Sequence, residues 1–137
     1  MKIAICGSMS ASKEMVNSET ELINMGHEVV LPAFVHDYVN KDESEVTSFE
    51  SIKEKQDHDL LRAYFAKLKQ VDALLVVNPE KRGMQNYIGG NSFLEMGFTY
   101  VLEKPIYILN DIPEISYKDE IISMNTIVLK GDLNKIK

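Results

Sequence analysis

Val71-Asp-Ala-Leu-Leu-Val-Val77 is followed, after a short polar loop, by Tyr87-Ile-Gly-Gly-Asn-Ser-Phe-Leu-Glu-Met-Gly97. The first segment holds the most hydrophobic run in the chain, Ala73 to Val77, and reads as the third and central strand of a sheet. Asn78-Pro79 closes it, since proline cannot continue a central strand. The second segment opens a helical pattern reaching Glu103, with Leu94, Gly97, Phe98, Val101 and Leu102 on one face. Gly97 in that face would let the helix pack closely on the sheet. An apolar strand follows from Pro105 to Leu109. Strand, helix and strand in this sequence form the repeating unit of a parallel sheet.

The flanking residues extend the same alternation. Lys2 to Cys6 is an almost continuous apolar run and reads as a strand buried on both faces. Ser12 to Met25 shows a helical stripe of Met15, Val16, Leu22 and Ile23, and Gly26 stands where a C-terminal cap belongs. His27 to Leu31 is the second strand, ended by Pro32. Residues 33–47 are polar and acidic, with Phe34, Tyr38 and the nearby Phe49, and read as a lid or as a surface excursion. Thr47-x-x-Glu50 and Ser51-x-x-Glu54 are two capping boxes. Either can start a helix that runs to Gln70 with Leu61, Tyr64, Phe65 and Leu68 on one face. Asp57 and Asp59 on its first half read as solvated charges or as acid–base residues. After the fourth strand come a loop from Asp111 to Ser116, a short helix from Tyr117 to Met124 and a fifth strand from Thr126 to Leu129. The expected fold is therefore α/β: a flavodoxin- or Rossmann-like three-layer sandwich on a five-stranded parallel sheet of order 2-1-3-4-5. No repeat or linker interrupts the pattern, so residues 1–137 are read as one domain.

Composition narrows the function classes. The formal net charge of −6 argues against broad electrostatic binding of a nucleic acid polymer. Lys81-Arg82 is a local basic spot, suited to one phosphate or simply a solvated loop. Cys6 is the single cysteine and cannot form an internal disulfide, which points to a reducing, cytoplasmic compartment. His27, His36 and His58 share no metal-ligand spacing, so no metal site is expected. No apolar run is long enough to span a bilayer, and no signal-peptide pattern precedes the first strand.

In a 2-1-3-4-5 sheet the carboxyl ends of the first and third strands lie side by side, at the switch point where open α/β sheets bind ligands. Gly7-Ser8-Met9 and Asn78 are expected to converge there, and the helix carrying Glu95 opens onto the same end. The Gly7 loop is neither a Walker A motif nor a dinucleotide fingerprint. Gly89 and Gly90 would let a ligand approach the backbone closely, and Asn91 and Ser92 offer hydrogen-bonding side chains at a helix start. Glu95 is expected in the first helical turn, where the positive end of the helix favours its ionised form. An ionised carboxylate beside a sugar-sized gap can attack or orient a substrate. Ser92-x-x-Glu95 is equally a capping box, in which Glu95 only ties back to a backbone N–H. Both readings stand on the sequence.

Cys6-Gly7-Ser8-Met9, Val71 to Val77, and Gly90 to Gly97 with Lys104-Pro105 after it resemble the nucleoside 2-deoxyribosyltransferase family and its relatives, the 2'-deoxynucleoside 5'-monophosphate N-glycosidases. The resemblance runs from Lys2 to about Leu129. It implies a nucleoside or nucleotide ligand and no cofactor. Glu95 would attack the anomeric carbon, expel the base and form a glycosyl-enzyme that water or a second base resolves, as in retaining glycosidases. Substrate contacts would come from Cys6, Gly7, Ser8, Met9, Asn78, Gly89, Gly90, Asn91 and Ser92. Ser123 would be supplied across a subunit interface, which implies at least a homodimer.

Three departures accompany the resemblance. Tyr64 stands where the family carries an aspartate that helps the base leave, and a phenol, with an ordinary pKa of about 10, is a weak acid for that task. Ser10-Ala11 replaces an Arg-Gly pair. The segment Lys81 to Ile88 is long and is expected to bring Arg82 or Tyr87 over the site. Gly89 to Glu95 also resembles, one residue short, a motif of nucleoside-monophosphate phosphoribohydrolases, which points to the same chemistry. The expected function is N-glycosidic cleavage or base exchange. The alternative is a non-catalytic nucleotide-binding or sensing protein of the same fold. Phe93, Met96 and Tyr100, with Ile121, Ile122 and Met124, are expected to face outward as a subunit contact.

Overall fold

The structure, a computed structural model, describes residues 1–33, 35–39 and 59–137. Five parallel strands form one sheet in the order β2-β1-β3-β4-β5: β1 (Lys2–Cys6), β2 (Glu28–Val30), β3 (Ala73–Val76), β4 (Ile106–Ile108) and β5 (Ile127–Val128). The described helices are α1 (Ser12–Asn24), α2 (Val35–Tyr38), α3 (Leu60–Lys69), α4 (Gly90–Val101) and α5 (Lys118–Ser123). Short 3-10 turns cover Met9–Ala11 and Leu133–Lys135. The fold is the α/β sandwich expected from the alternation of strands and helices.

Strand periodicity explains the layers, because successive side chains leave opposite faces of a sheet. On one face Ile3, Ile5, Ala73 and Leu75 pack with Met15 and Leu22 of α1 and with Leu133 and Ile136 near the C-terminus. On the other, Ala4, Cys6, Leu74 and Val76 pack with Leu68 of α3, Met96 of α4 and Ile121 of α5. β1 and β3 have both faces covered, which is why their sequences are continuously apolar rather than alternating.

The element ends are tied chemically. Gly26 follows α1 at φ +97°, the left-handed conformation that terminates helices. The Lys104 ammonium donates to the carbonyls of Leu68 and Lys69 at 2.8 and 3.1 Å, placing a cation on the negative end of α3. The Asp72 carboxylate accepts from the Lys2 N–H at 2.7 Å.

The structure corrects the expected orientation of α4. Its buried residues are Ser92, Glu95, Met96 and Thr99, at helical spacing on one face. Leu94 and Val101, expected in the core, are 42% and 76% exposed, while Met96, expected outward, is fully buried. The buried side of α4 carries three polar residues with Met96, while Phe98 and Leu102 of the expected stripe pack partly buried against the same core, so the stripe is wrong only at Leu94 and Val101. Thr99 is accommodated by donating to the Glu95 carbonyl at 2.7 Å. Leu61 is likewise exposed on α3, and Ile121 of α5 belongs to the core rather than to an outward patch. Asp59 pairs with Arg62 at 2.9 Å on the surface, a solvated charge. Phe34, Phe49, Asp57, His58, both capping boxes and most of the 33–47 segment lie outside the described residues. Among the described residues no helix is long and apolar enough to cross a membrane.

Gly7 is required where the ends of β1 and β3 meet. A Cβ at this position would lie 2.8 Å from the Val77 carbonyl oxygen, a backbone atom that cannot rotate away. Gly7→Ala should therefore lower unfolding stability by about 1–3 kcal/mol, the range for overpacking a tight site. Urea denaturation measures this directly, and wild-type stability in the variant would mean that the two loops separate at little cost.

Candidate functional site

A cleft of about 150 Å³ opens at the carboxyl ends of β1 and β3. That volume holds on the order of five waters, room for a sugar-sized group. Its walls come from four segments: Gly7, Ser8 and Met9 after β1; Pro32 after β2; Leu60 and Tyr64 on α3; and Lys81, Tyr87, Gly89, Gly90, Asn91, Ser92 and Glu95 from the loop after β3 and the start of α4. Parallel topology creates this convergence, since it puts all the strand-to-helix loops on one side.

Gly89 is the N-cap of α4 and contributes no side-chain cap. The leading N–H groups of the helix therefore face the cleft without a side-chain acceptor, and helix starts of this kind favour anionic groups. Glu95 is the sixth residue of α4 and lies beyond the first turn. The expectation that the helix start holds it ionised is thus corrected, because that influence fades within one turn. The capping-box reading also fails: with Gly89 at the cap, Ser92 is already inside the helix.

The Glu95 carboxylate is instead buried, with 4% of the residue exposed. Its Oε1 lies 3.1 Å from the Lys67 ammonium on α3, and only 17% of the Lys67 side chain is exposed. Oε1, the oxygen facing Lys67, is itself shut off from solvent, so Lys67 is the partner of that side of the carboxylate. Burial raises the Glu95 pKa above its ordinary 4.5, and Lys67 opposes that rise. Behind Glu95, burial pushes the Cys6 thiol well up; the Glu95 charge adds to this, while Lys67 and a hydrogen bond with Ser92 oppose it. Cys6 is fully buried and does not reach the cleft wall.

The loop after β3 is shaped by a tight turn. Lys81 and Met84 exchange backbone hydrogen bonds at 3.0 Å, with Arg82 and Gly83 between them at φ +51° and +85°. Two consecutive positive φ angles make this a hairpin turn of the primed type. Lys81 is thereby turned inward, where its ammonium donates to the Ser8 hydroxyl at 2.8 Å and lies 5.2 Å from the Tyr87 ring centroid. Ser8 and Ser10 share a hydroxyl hydrogen bond at 3.0 Å. Of Arg82 and Tyr87, either of which was expected over the site, Tyr87 lines the cleft, whereas Arg82 is exposed and outside its wall.

Asn78 is fully buried and does not line the cleft. Its amide donates to the carbonyls of Asn86 and Asp111 at 3.3 and 3.0 Å and accepts from the Asn110 N–H at 2.9 Å. It clasps the loop after β3 to the loop after β4. Ser123 sits on the surface of α5, donating to the Glu120 carbonyl at 2.7 Å, away from the cleft of its own chain. Lys67 was missed by the sequence reading, although a signal existed: it stands three residues after Tyr64, on the same helical face. The chain matches no known protein-family model and no curated protein.

The Glu95 pKa shift has a measurable sign. A carboxyl raised above its unfolded value supports folding fully below that value, and this support is lost as pH rises through the folded value. Glu95→Gln mimics the protonated form. It should match wild type near pH 4, below the ordinary 4.5, and melt higher than wild type at neutral pH. Thermal melts from pH 4 to 8 test this, and a Gln variant less stable at neutral pH would show that the Lys67 pairing outweighs burial.

Proposed function

We propose that this protein cleaves or exchanges the N-glycosidic bond of a nucleoside or nucleotide, with Glu95 as nucleophile. The observation that carries the reading is a buried carboxylate that borders a sugar-sized cleft and is paired with the Lys67 ammonium on its far side. In this reading a Glu95 oxygen bonds to the anomeric carbon as the bond to the base nitrogen breaks and its electron pair leaves with the base. Water or a second base then displaces the carboxylate. The resemblance of Gly90 to Gly97 to the deoxyribosyltransferases supports the same chemistry. Lys81 supports a phosphorylated ligand: among the described residues no carboxylate pairs with it, and it stands beside the uncapped start of α4.

The experiment is direct. Purified protein incubated with deoxynucleosides and their monophosphates should release free base, read by chromatography. Glu95→Ala should abolish release, a loss of a hundredfold or more being usual for a nucleophile's removal, while circular dichroism stays native. Full turnover in that variant would end the proposal. A second reading, nucleotide binding without cleavage, is favoured by Tyr64, which lines the cleft where the related families carry an aspartate. Its signature is a ligand-induced rise in melting temperature with no base released.

Assembly into a homo-oligomer belongs to the same proposal. Tyr100, Val101 and Ile127 are 48%, 76% and 43% exposed around one open surface groove, apolar side chains of the kind that a subunit contact covers. Light scattering should give at least twice the monomer mass of 15.6 kDa at micromolar concentration. A strictly monomeric species would remove the shared-site role of Ser123.

A further inference from the structure

We propose that Lys67 is a positioning residue for Glu95, holding its carboxylate ionised from behind the cleft; the inference rests on Glu95 being the reacting group. Lys67 belongs to α3 and is not part of the cleft wall, so it acts through Glu95 rather than on the ligand. Its ammonium lies 3.1 Å from Oε1 in a poorly solvated setting, with 17% of the Lys67 side chain and 5% of the Glu95 side chain exposed. A charge pair in such a setting is screened far less than one on the surface.

The other groups around Glu95 cannot do this work. Cys6 approaches from β1 as a neutral thiol, because burial raises its pKa. Ser92, on the preceding turn of α4, is uncharged and is engaged with Cys6. Tyr64 lies on α3 with the Lys67 ammonium 5.4 Å from its ring centroid. Lys81 is directed at Ser8 on the first loop. The start of α4 is more than one turn away from Glu95. Burial favours the protonated acid, which is not a nucleophile, and Lys67 is the cation that opposes it.

A purely structural ion pair is the competing explanation, and the packing speaks against it. α3 and α4 are already joined by an edge-on contact of Phe65 with Phe98, ring centroids 5.4 Å apart, and Leu68 and Met96 share one core cluster. The packing of α3 on α4 is thus secured without the Lys67–Glu95 contact, whose distinct contribution is a cation beside a buried carboxylate.

The test uses the full chain with Lys67→Met, which keeps the apolar stem and removes the charge, and Lys67→Arg, which keeps the charge. Glutamate side-chain carboxyls are followed by carbon-13 NMR against pH, the Glu95 signal being identified by its loss in Glu95→Gln. In Lys67→Met, Glu95 should titrate at higher pH than in wild type, and Lys67→Arg should return it toward wild type. The acid limb of kcat/KM should move with it. The rate on the acid limb, relative to the plateau, should fall about tenfold or more in Lys67→Met with KM little changed, since an opposite charge within about 6 Å shifts a carboxyl by about one unit or more. An unchanged Glu95 titration in Lys67→Met would overturn the proposal. So would a uniform loss of activity at every pH that Lys67→Arg fails to restore. A Glu95 signal that moves in a protein releasing no base would uphold the pairing and remove the catalytic reading instead.

Discussion

Where β1 and β3 end, the backbone of Gly7 presses against the carbonyl of Val77. The Val77 N–H donates to the Cys6 carbonyl at 2.8 Å, extending the ladder to the last residue before each loop. A side chain at position 7 would push the two segments apart, since its Cβ would meet the Val77 oxygen at 2.8 Å. This contact brings the first loop beside the loop that carries Lys81, and the Lys81-to-Ser8 hydrogen bond then spans the gap between them. Asn78, the next residue along, fastens the same loop to the one after β4 through three hydrogen bonds, with the Asp111 carbonyl and with the backbone and side-chain amides of Asn110. The cleft is therefore anchored by backbone and buried amide groups, and its shape follows from the central strand pair rather than from flexible side chains.

Glu95 stands against that well-satisfied background. A buried carboxyl is a local cost to folding, and burial raises its pKa even against the Lys67 charge. The fold gives up apolar contact for it, because α4 turns a face with Ser92, Glu95 and Thr99 toward the sheet and leaves Leu94 and Val101 in solvent. Such local violations of otherwise consistent patterning are expected at functional sites. The mixed face is tolerable because each polar group is engaged: Thr99 with the Glu95 carbonyl, Ser92 with Cys6, and Glu95 with Lys67 at ion-pair distance.

The sheet was legible in the sequence because its two central strands are buried on both faces, and continuous apolar runs such as Ile3 to Cys6 and Ala73 to Val77 admit few other readings. The loops facing the cleft followed from strand order alone. What was not legible depended on rotation about an element's axis. The apolar stripe of α4 misplaced Leu94 and Val101, because hydrophobic patterning assumes that burial follows polarity, whereas Ser92, Glu95 and Thr99 take the buried positions. Lys81 and Arg82 form one basic spot in the sequence, and only the hairpin turn, with Arg82 at positive φ, separates an inward Lys81 from an exposed Arg82. Asn78 sits at a strand end that faces ligands in this topology, yet its amide is consumed by loop carbonyls that no local pattern announces.

Lys67 and Lys81 then give the cleft a direction. At the floor, the Glu95 charge is balanced by Lys67, so that end is close to neutral as a whole. On the loop after β3, Lys81 has only the Ser8 hydroxyl and the face of Tyr87, and its charge is uncompensated among the described residues. A chain of net charge −6 repels anions at long range, so an anionic ligand must be held by such a local cation and by the N–H groups at the start of α4. Under the proposed function these two ends assign opposite parts of one molecule: an anionic group toward Lys81 and the α4 start, and the sugar carbon toward Glu95. Exchanging the two lysines' partners would destroy this polarity without altering the cleft's size, which is why charge placement rather than volume sets how a nucleotide would lie.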